Sequence, residues 1–371
     1  MIIGVPKEIK DNEFRVAIVP DGVNEFIRRG HSVLIEKGAG LGSGIVDEDY
    51  EKAGATMTDK GEVFRKADMI YKVKEIFPEE FKYLREGLIV FTYIHSNAHR
   101  EQTDAMIENK IVGVSYEDIE DSKGQFPLLR PMSEIAGKGG FLMACQYSQK
   151  INGGKGLMLA RVHGVRTPVV AIIGAGAAGL GAAELAAGFG NKVIVLDISL
   201  DNLEKAKNIL PSNVEFLYSN DQNIKTVLKE CDVLINCILW PKNRKDHLIN
   251  REMLRTMKSG ALIVDVSCDD AGAIETSRST SHLDPIYFEE GIMHYVVDNI
   301  PSAFSATSTL FLCTATLPYA LQIATKGYKK ALLENEYLRK GLSFYLGDLT
   351  LKETGLKQNR RFKAPEEVLG I

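Results

Sequence analysis

The hydrophobic pattern of the first 120 residues alternates between two periods. Short β-branched and apolar runs, typical of buried strands, are separated by segments in which apolar residues recur at helical spacing. The strand-like runs are MIIGVPKE, HSVLIEKG, DMIYKVKE, LIVFTYIH and IVGVSYEDI, and the helical segments are DGVNEFIRRG, PEEFKYLREG and REQTDAMIEN. This alternation predicts a parallel sheet covered by helices on both faces.

A second alternating unit occupies the middle of the chain. It follows residues 131–154, PMSEIAGKGGFLMACQYSQKINGG, which predict one long helix closed by a glycine pair. The unit has the six strand-like runs that two mononucleotide-binding halves require: TPVVAIIG, NKVIVLD, VEFLYS, DVLINCIL, ALIVDVS and GIMHYVVD. After residue 303, FSATSTLFLCTATLPYALQIATKG predicts a second long helix that leads the chain back to the first unit. We therefore predict an α/β protein with two Rossmann-like, doubly wound domains, separated by a cleft and linked by these two helices.

The composition is that of an ordinary globular protein with room for two domains: 371 residues, 45% hydrophobic and 25% charged. A net charge of −4 offers no basic surface for a polyanion, which argues against nucleic acid as a partner. Five scattered cysteines without a C-x-x-C pair indicate neither a disulfide framework nor a zinc site. The N-terminus lacks the order of a signal peptide, so we expect a cytoplasmic protein.

Residues 169–190 are almost uncharged and about long enough to cross a bilayer. Their glycines, the central Glu184 and the immediate return to NKVIVLD are more typical of a buried strand and helix. We therefore expect no membrane segment there.

A dinucleotide-binding motif lies in IIGAGAAGLGAAELAAGFGNKVIVLD, residues 172–197. In this pattern Gly174 permits a tight turn, Gly176 allows the backbone to approach a pyrophosphate, and Gly179 allows helix and strand to pack closely. Asp197 ends the second strand, where an acid accepts hydrogen bonds from ribose hydroxyls and repels a 2′-phosphate. The motif predicts NAD rather than NADP as cofactor; tight packing without a nucleotide is the alternative.

Candidate catalytic groups occur in both units; Arg15 follows the polar run KDNE, and the others lie at strand ends. Arg15 and Lys74 suit a carboxylate ligand, although each alone is also typical of a solvated surface charge. His95, at the end of LIVFTYIH, suits a proton carrier, with a capping or core histidine as the alternative. His99 makes a metal pair conceivable, but no third ligand is evident, and we predict no metal. In VDVSCDDAG, Asp269 and Asp270 either face the nicotinamide or cap the next turn.

The chain resembles the alanine dehydrogenase and transhydrogenase α-subunit family over nearly its whole length. The resemblance rests on MIIGVPKEIKDNEFRVAIVP, GHSVLIEKGAGLGSGI, VKE, FTYIH, RPMSEIAGK, the glycine-rich block, MHYVVDNIP, ATSTLFLCTATLPYALQIATKG and the tail YLRKGLSFYLGDLT. It is nearest to alanine dehydrogenases, which are NAD enzymes and typically hexameric. The resemblance implies a substrate domain of residues 1–130 plus 305–371 and an NAD-binding domain of residues 131–304.

The resemblance also implies residue roles. Arg15 and Lys74 would bind the substrate carboxylate, and His95 and Asp269 would carry the proton chemistry. The remaining roles are implied in the same way: substrate contacts for Tyr93, Met132 and Asn299, nucleotide contacts for Ser133 and Ser219, and the adenosine ribose for Asp197. The implied reaction is oxidative deamination of L-alanine or a similar small L-amino acid to a 2-oxo acid and ammonia.

Several segments depart from the family pattern. HSNAH replaces HLAA and places Ser96 and Asn97 beside the histidine; SCDDAG replaces AIDQGG, WPKNRKDH replaces IPGAKAP, and DNIPSAFSATST places Asp298 before Asn299. Extra polar groups would suit a substrate with a second amine. An opine- or saccharopine-type reductase therefore stays an alternative, as does a non-catalytic or transhydrogenase-like NAD-binding module.

Overall fold

The computed structural model describes residues 1–241, 244, 246–268 and 271–371. The strands in this part of the chain are β1 (Ile2–Val5), β2 (Ser32–Glu36), β3 (Thr56–Thr58), β4 (Met69–Tyr71), β5 (Ile89–Thr92), β6 (Val112–Ser115), β7 (Val169–Ile173), β8 (Lys192–Asp197), β9 (Val214–Tyr218), β10 (Val233–Asn236), β11 (Leu262–Asp265), β12 (Ile286–Glu289), β13 (Ile292–Tyr295), β14 (Leu342–Tyr345) and β15 (Asp348–Leu349).

The α-helices in the same part of the chain are α1 (Pro20–Arg28), α2 (Asp47–Lys52), α3 (Lys60–Lys66), α4 (Pro78–Phe81), α5 (Arg100–Glu108), α6 (Arg130–Tyr147), α7 (Ala177–Gly188), α8 (Leu200–Ile209), α9 (Asp221–Glu230), α10 (Arg251–Leu254), α11 (Ser305–Lys326), α12 (Tyr328–Glu334), α13 (Glu336–Lys340), α14 (Lys352–Gln358) and α15 (Pro365–Leu369). Short 3-10 helices cover Leu41–Ser43, Tyr116–Asp118, Lys150–Asn152 and Ile300–Phe304.

The chain divides into two compact units, each built on one sheet. Unit 1 comprises Met1–Pro131 and Ser305–Ile371, and unit 2 comprises Met132–Phe304. The sheet of unit 1 has the order β15-β14-β6-β5-β4-β1-β2-β3, and that of unit 2 the order β12-β13-β11-β10-β7-β8-β9. Most strand pairs are parallel, as βα alternation requires. The α/β class predicted from the sequence is thus confirmed.

The antiparallel edges differ from the all-parallel prediction. In unit 1, β14 pairs antiparallel with β6 and with β15, and in unit 2, β12 pairs antiparallel with β13. The turn between β14 and β15 consists of Leu346 and Gly347, with φ values of 48° and 102°. A two-residue hairpin turn of this kind needs positive φ at both of its residues and favours Asn-Gly there. Because Leu346 occupies the first turn position, the sequence pattern did not indicate this hairpin.

Two predicted helices are shorter in the structure than their patterns. The segment PEEFKYLREG forms only the four-residue α4. Helix α6 ends at Tyr147, and the residues before the glycine pair form the 3-10 helix Lys150–Asn152 instead. Residues 169–190 form β7 and α7, as predicted. By length and composition alone, Ile300–Lys326 could cross a membrane, a test that the core helix of a globular protein also passes.

Each sheet has one point at which the strand order reverses direction. In unit 1 this point lies between β1 and β4, and in unit 2 between β7 and β10. Loops leaving adjacent parallel strands in opposite directions open a crevice at the carboxyl edge, which is where α/β sheets bind ligands. A functional site is therefore expected in the segments that follow β1, β4, β7 and β10.

Helices α6 and α7 approach each other closely within unit 2. A Cβ added to Gly137 would lie 1.8 Å from the carbonyl oxygen of Ala178, and one added to Gly181 would lie 2.7 Å from that of Glu134. Backbone atoms cannot move aside as flexible side chains do, so this crossing requires glycine on both helices.

We expect Gly137→Ala to lower the free energy of unfolding by about 3 kcal/mol, because the added methyl would force the two helices apart. Gly188→Ala, in α7, is the matched control: its Cβ meets nothing within 4 Å. At that exposed helical position alanine should stabilise the protein by about 0.5–1 kcal/mol. Chemical denaturation measures both; similar unfolding midpoints for the two variants would contradict the packing argument.

Candidate active site

Two lysines follow β4 and have different surroundings. Lys72 is completely buried, and its Nζ lies 2.9 Å from a carboxylate oxygen of Glu8 and 3.3 Å from one of Glu80. Burial alone would lower the pKa of Lys72, but the two carboxylates more than offset this effect, so the pKa is raised. Lys72 therefore stays charged and belongs to the framework, which leaves Lys74 as the candidate for ligand binding.

The carboxylate of Glu8 joins the loops that follow β1 and β4. Its Oε1 accepts hydrogen bonds from the backbone N–H groups of Val73, at 2.7 Å, and Lys74, at 3.3 Å. Since β1 and β4 flank the reversal point of the unit 1 sheet, this carboxylate fixes the backbone that carries Lys74 at the predicted crevice.

Arg15 is held by an acidic residue two positions before it. Its guanidinium donates from Nε to Oε1 of Glu13 at 2.7 Å and from Nη2 to Oε2 at 2.5 Å, in the two-pronged geometry that arginine and carboxylate favour. Burial would lower the pKa of Arg15, but the charge and hydrogen bonds of Glu13, together with the smaller effects of Tyr93 and Glu8, outweigh it, so the pKa is raised. A buried, permanently charged and fixed arginine results, not the solvated surface charge that was the alternative.

Lys74 lies in the same electrostatic neighbourhood. Its pKa is lowered, first by burial and then by the positive charges of Arg15 and Lys10, against which Glu75 and Glu13 act. This neighbourhood thus contains three cations and two carboxylates. The excess of positive charge favours binding of an anionic group such as a substrate carboxylate.

His95 lies three residues beyond β5, in a loop, whereas the sequence placed it on the strand. Its half-exposed ring stacks on Tyr93, with ring centroids 5.7 Å apart and planes 7° from parallel. The hydroxyl of Tyr93 donates to the carbonyl oxygen of Leu128 at 2.6 Å. The tyrosine is therefore fixed, and it orients the imidazole.

Glu117, in the 3-10 helix after β6, holds the backbone on which His95 lies. Its Oε1 accepts from the N–H of His95 at 2.5 Å and its Oε2 from that of Ile94 at 3.2 Å. The same Oε1 lies 3.6 Å from Nδ1 of His95, beyond hydrogen-bond distance but close enough for charge attraction. His95 itself has a φ of 49°, a conformation that non-glycine residues adopt only where their surroundings enforce it.

The structure therefore brings together four predicted residues within unit 1: Arg15, Lys74, Tyr93 and His95. It also places His99 Nε2 3.6 Å from Glu75. Among the described residues, no group of three His, Cys, Asp or Glu side chains has the arrangement of a metal site.

The glycine-rich segment of unit 2 surrounds an open space. Gly174 follows β7 with a φ of 100°, and a Cβ there would lie 2.8 Å from Cγ2 of Ile238. A Cβ on Gly179 would lie 1.7 Å from the carbonyl oxygen of Gly174, whereas one on Gly176 would meet nothing within 4 Å. Packing thus explains Gly174 and Gly179, while Gly176 leaves room beside the N-terminus of α7, where a helix favours phosphate.

Asp197, at the end of β8, fixes this segment. Its Oδ2 accepts from the N–H of Ala175 and its Oδ1 from that of Ser199, both at 2.7 Å. The N–H of Ser219 donates to the Asp197 carbonyl oxygen at 2.9 Å. Each carboxylate oxygen has a further lone pair, so the same aspartate can still accept a ribose hydroxyl. The open space, the helix N-terminus and this acid fit a pyridine dinucleotide.

The end of β11 forms a second polar network in unit 2. Asp265 is buried and accepts from Asn236 Nδ2 at 2.9 Å and from Ser277 Oγ at 2.5 Å. Cys268 follows with a φ of 55°, and its thiol donates to the carbonyl oxygen of Val297 at 3.1 Å. Asp269 and Asp270 lie outside the described residues.

The other predicted residues of unit 2 lie near its N-terminal and C-terminal ends. Met132 and Ser133 are in the first turn of α6, with Met132 buried. Asn299 precedes the 3-10 helix Ile300–Phe304 and has a φ of 69°. Its carbonyl oxygen lies 3.3 Å from Nε2 of His282.

Sequence reasoning missed the acidic partners of the basic residues. Glu13 holds Arg15, Glu75 acts on Lys74, and Glu117 holds His95. A signal existed for Glu117, because IVGVSYEDI places it just after a strand, where the same rule had drawn attention to His95. The sequence signal for Glu13 was weaker, since a polar run such as KDNE is typical of a solvated loop.

The comparisons with known proteins cover the whole chain. Residues 4–136 match the family model described as the N-terminal domain of alanine dehydrogenase/PNT, and residues 140–352 match that of the C-terminal domain. The chain is 45% identical over 371 residues to an alanine dehydrogenase of Methanococcus maripaludis, covering 100% of both chains. It is 42% identical over 370 residues to an alanine dehydrogenase of Bacillus subtilis, covering 100% of this chain and 98% of the relative.

Solved structures give the same picture. An L-alanine dehydrogenase matches with a TM-score of 0.92 at 37% identity, covering 97% of this chain and 99% of its own. A transhydrogenase from Sinorhizobium meliloti matches with a TM-score of 0.82 at 23% identity, covering 94% of this chain and 100% of its own. At that lower identity the second match shows a shared fold.

Asp118, next to Glu117, is a buried acid with an unusual pKa. Burial, and after it the negative charge of Glu117, raises the pKa of Asp118 to about 7. The hydroxyl of Ser343 lies 3.5 Å from its Oδ2. A carboxyl group whose pKa is raised in the folded state costs stability as the pH rises from about 4 to 7, because the folded form must then lose a proton that it holds more tightly.

We expect Asp118→Asn to stabilise the protein at pH 8 by about 1–2 kcal/mol, with the gain disappearing near pH 4.5. Asp121→Asn is the matched control of opposite sign, since hydrogen bonds from the N–H groups of Gln125 and Lys123 lower the pKa of Asp121. That variant should lose stability at pH 8. Urea unfolding at both pH values measures the two effects; an Asp118→Asn gain that does not change with pH would contradict the raised pKa.

Proposed function

The chain belongs to the alanine dehydrogenase/PNT family, and on that premise we propose that it catalyses the reversible, NAD-dependent oxidative deamination of L-alanine, or of a similar small L-amino acid, to the 2-oxo acid and ammonia. It is then an oxidoreductase that acts on the CH–NH₂ group of an amino acid. The observation that carries the proposal is the cluster of Arg15, Lys74 and His95 in one unit of a chain with whole-length alanine dehydrogenase relatives.

Unit 1 binds the substrate in this proposal. Arg15, fixed by Glu13, and Lys74, fixed through its backbone by Glu8, bind the carboxylate of the amino acid. Burial and, after it, the charge of Arg15 lower the pKa of Lys74, and a bound carboxylate raises that pKa again. Substrate binding therefore weakens at high pH, where Lys74 loses its proton.

His95 carries the proton chemistry. The carboxylate of Glu117 near Nδ1 favours a proton on that nitrogen, which leaves Nε2 as the base that takes a proton from the amino group or from the water that adds to the imino acid. Asp269 is assigned the second proton-transfer role by family resemblance alone. Tyr93, Met132 and Asn299 are proposed to contact the substrate.

Unit 2 binds the dinucleotide. Gly174, Gly176 and Gly179 shape the pyrophosphate site at the N-terminus of α7, Asp197 accepts from the adenosine ribose, and Ser133 and Ser219 lie near the nucleotide. When bound, NAD accepts the hydride from Cα of the amino acid. The domain assignment is thus residues 1–130 plus 305–371 for substrate and 131–304 for NAD.

The names of the relatives are those of enzymes that act on small molecules. We propose that this enzyme is a cytoplasmic homo-oligomer, and the family resemblance implies a hexamer. Its partners are the amino acid and 2-oxo acid, with neither nucleic acid nor membrane. The opine- and saccharopine-type alternative drew on Ser96 and Asn97, and on Asp270 and Asp298, as extra polar and acidic groups around the substrate. The side chains of Ser96 and Asn97 both bond to Thr354 within unit 1, so these two residues no longer favour a substrate with a second amine.

We expect the purified protein to oxidise NADH with pyruvate and ammonia. Arg15→Ala should raise the KM for pyruvate by about 100-fold or more, because a charged hydrogen-bond pair to the carboxylate is lost. His95→Ala should instead lower kcat by about 100-fold or more. NADH absorbance measures all three. Turnover only when lysine, ornithine or another amino acid replaces ammonia would move the protein to the opine or saccharopine class, and NADH binding without turnover would favour a non-catalytic module.

The carboxylate of Asp197 should also determine the choice of nicotinamide cofactor. We expect kcat/KM for NADH to exceed that for NADPH by about 100-fold, because a negative carboxylate repels a 2′-phosphate. Asp197→Asn should reduce this ratio by lowering the KM for NADPH. Thermal unfolding serves as the control, since the same side chain holds the backbone of Ala175 and Ser199. Equal use of both cofactors by the unchanged protein would contradict the assignment.

A further inference from the structure

The loop that carries His95 is joined to the C-terminal segment of the chain by a continuous series of hydrogen bonds. Ser96 Oγ lies 2.7 Å from Oγ1 of Thr354 in α14, and Thr354 Oγ1 donates to Oδ1 of Asn97 at 2.6 Å. A hydroxyl has one hydrogen, so Thr354 must accept from Ser96 while it donates to Asn97. The series thus has one direction: Ser96 to Thr354 to Asn97.

A second side chain of α14 holds the backbone of the same loop. Nε2 of Gln358 donates to the carbonyl oxygen of Ser96 at 2.6 Å and lies 3.3 Å from Oγ1 of Thr103. Gln358 is fixed in turn by Arg360, whose Nε donates to its Oε1 at 2.8 Å, and Arg360 forms an ion pair with Asp104 in α5 at 2.5 Å. Helix α14 is therefore attached both to the loop and to α5, the helix that follows it.

The hydrogen bonds from Thr354 and Gln358 are made to Ser96, the residue that directly follows His95. On the other side, Glu117 binds the N–H groups of Ile94 and His95, and Nε2 of Gln102 donates to the Ile94 carbonyl oxygen at 2.8 Å. The left-handed backbone of His95 is thus held from both directions. A single non-glycine residue in this conformation is strained and relaxes unless its neighbours are fixed.

We propose that Thr354 and Gln358 are positioning residues that hold His95 in its strained conformation, and that Ser96 and Asn97 are retained in this chain as their partners. The inference rests on the proposed function for its kinetic consequences and on the hydrogen bonds alone for its structural ones. The polar departures beside His95 then determine where the base lies and leave the choice of substrate to other residues.

The test compares Thr354→Val, which keeps the shape but removes the hydroxyl, with Thr354→Ser, which keeps the hydroxyl. Gln358→Met removes the second anchor, and Lys357→Met is its control, since Lys357 is exposed on the same helix. We expect Thr354→Val and Gln358→Met to lower kcat for L-alanine by about 10- to 100-fold, with the KM for NAD changed by less than about twofold. Thr354→Ser and Lys357→Met should stay within about twofold of the unchanged protein in both constants.

A readout independent of turnover separates this inference from the proposed function. In NMR spectra of histidine-labelled protein, the His95 ring signal should shift in Thr354→Val and Gln358→Met but not in the two controls. Amide exchange at Ile94 and His95 should accelerate in the same two variants. If the unchanged protein does not oxidise alanine but these signals change, the proposed function fails and the positioning role stands. If the signals are unchanged, or if kcat falls only in proportion to the loss of folded protein, the positioning role is wrong.

Discussion

The buried charge of Lys72 is the constraint on which the candidate substrate site depends. A fully buried ammonium is tolerated only with close counter-charges, and Glu8 and Glu80 supply them at 2.9 and 3.3 Å. Removing either carboxylate would leave an incompletely compensated charge in the core, so the loops after β1 and β4 keep one mutual arrangement. The hydroxyl of Tyr116 adds a hydrogen bond to the carbonyl oxygen of Lys72 at 2.9 Å. A buried framework ion thus fixes the loops that carry Lys74 at the reversal point of the sheet.

Acidic side chains position each of the basic candidates in unit 1. Glu13 holds the guanidinium of Arg15, Glu8 holds the backbone of Lys74, and Glu117 holds the backbone of His95. All three contacts fix the position of a basic residue, because a charge-assisted hydrogen bond fixes geometry more firmly than packing around a long, flexible side chain. In the proposed substrate site, these preorganised cations need not be ordered by the carboxylate that they bind.

Backbone strain occurs next to several of the proposed functional positions. Among the described non-glycine residues with positive φ are Asn12, His95, Cys268, Ala271 and Asn299, which lie at or within three residues of Arg15, His95, Asp269 and Asn299. Such conformations persist where the surroundings over-determine them, and His95 shows how: carboxylate, amide and hydroxyl groups from separate elements all bond to one short loop. Rigid support from distant parts of the chain is thus a property of this site.

The sequence by itself determined the α/β class, nearly all the parallel strands, the glycine-rich nucleotide motif and the family, because these depend on local periodicity and on short motifs with a fixed chemical purpose. It also identified Lys74 and His95 as candidates, since strand ends can be recognised locally, and Arg15 from the polar run that precedes it. It did not find the hairpin at Leu346 and Gly347, the framework role of Lys72 or the acidic partners. Only the tertiary structure decided that Ser96 and Asn97 bond to Thr354, more than 250 positions later in the chain. Pairings between residues so far apart depend on how the sheet brings its edges together, and no local pattern carries that information.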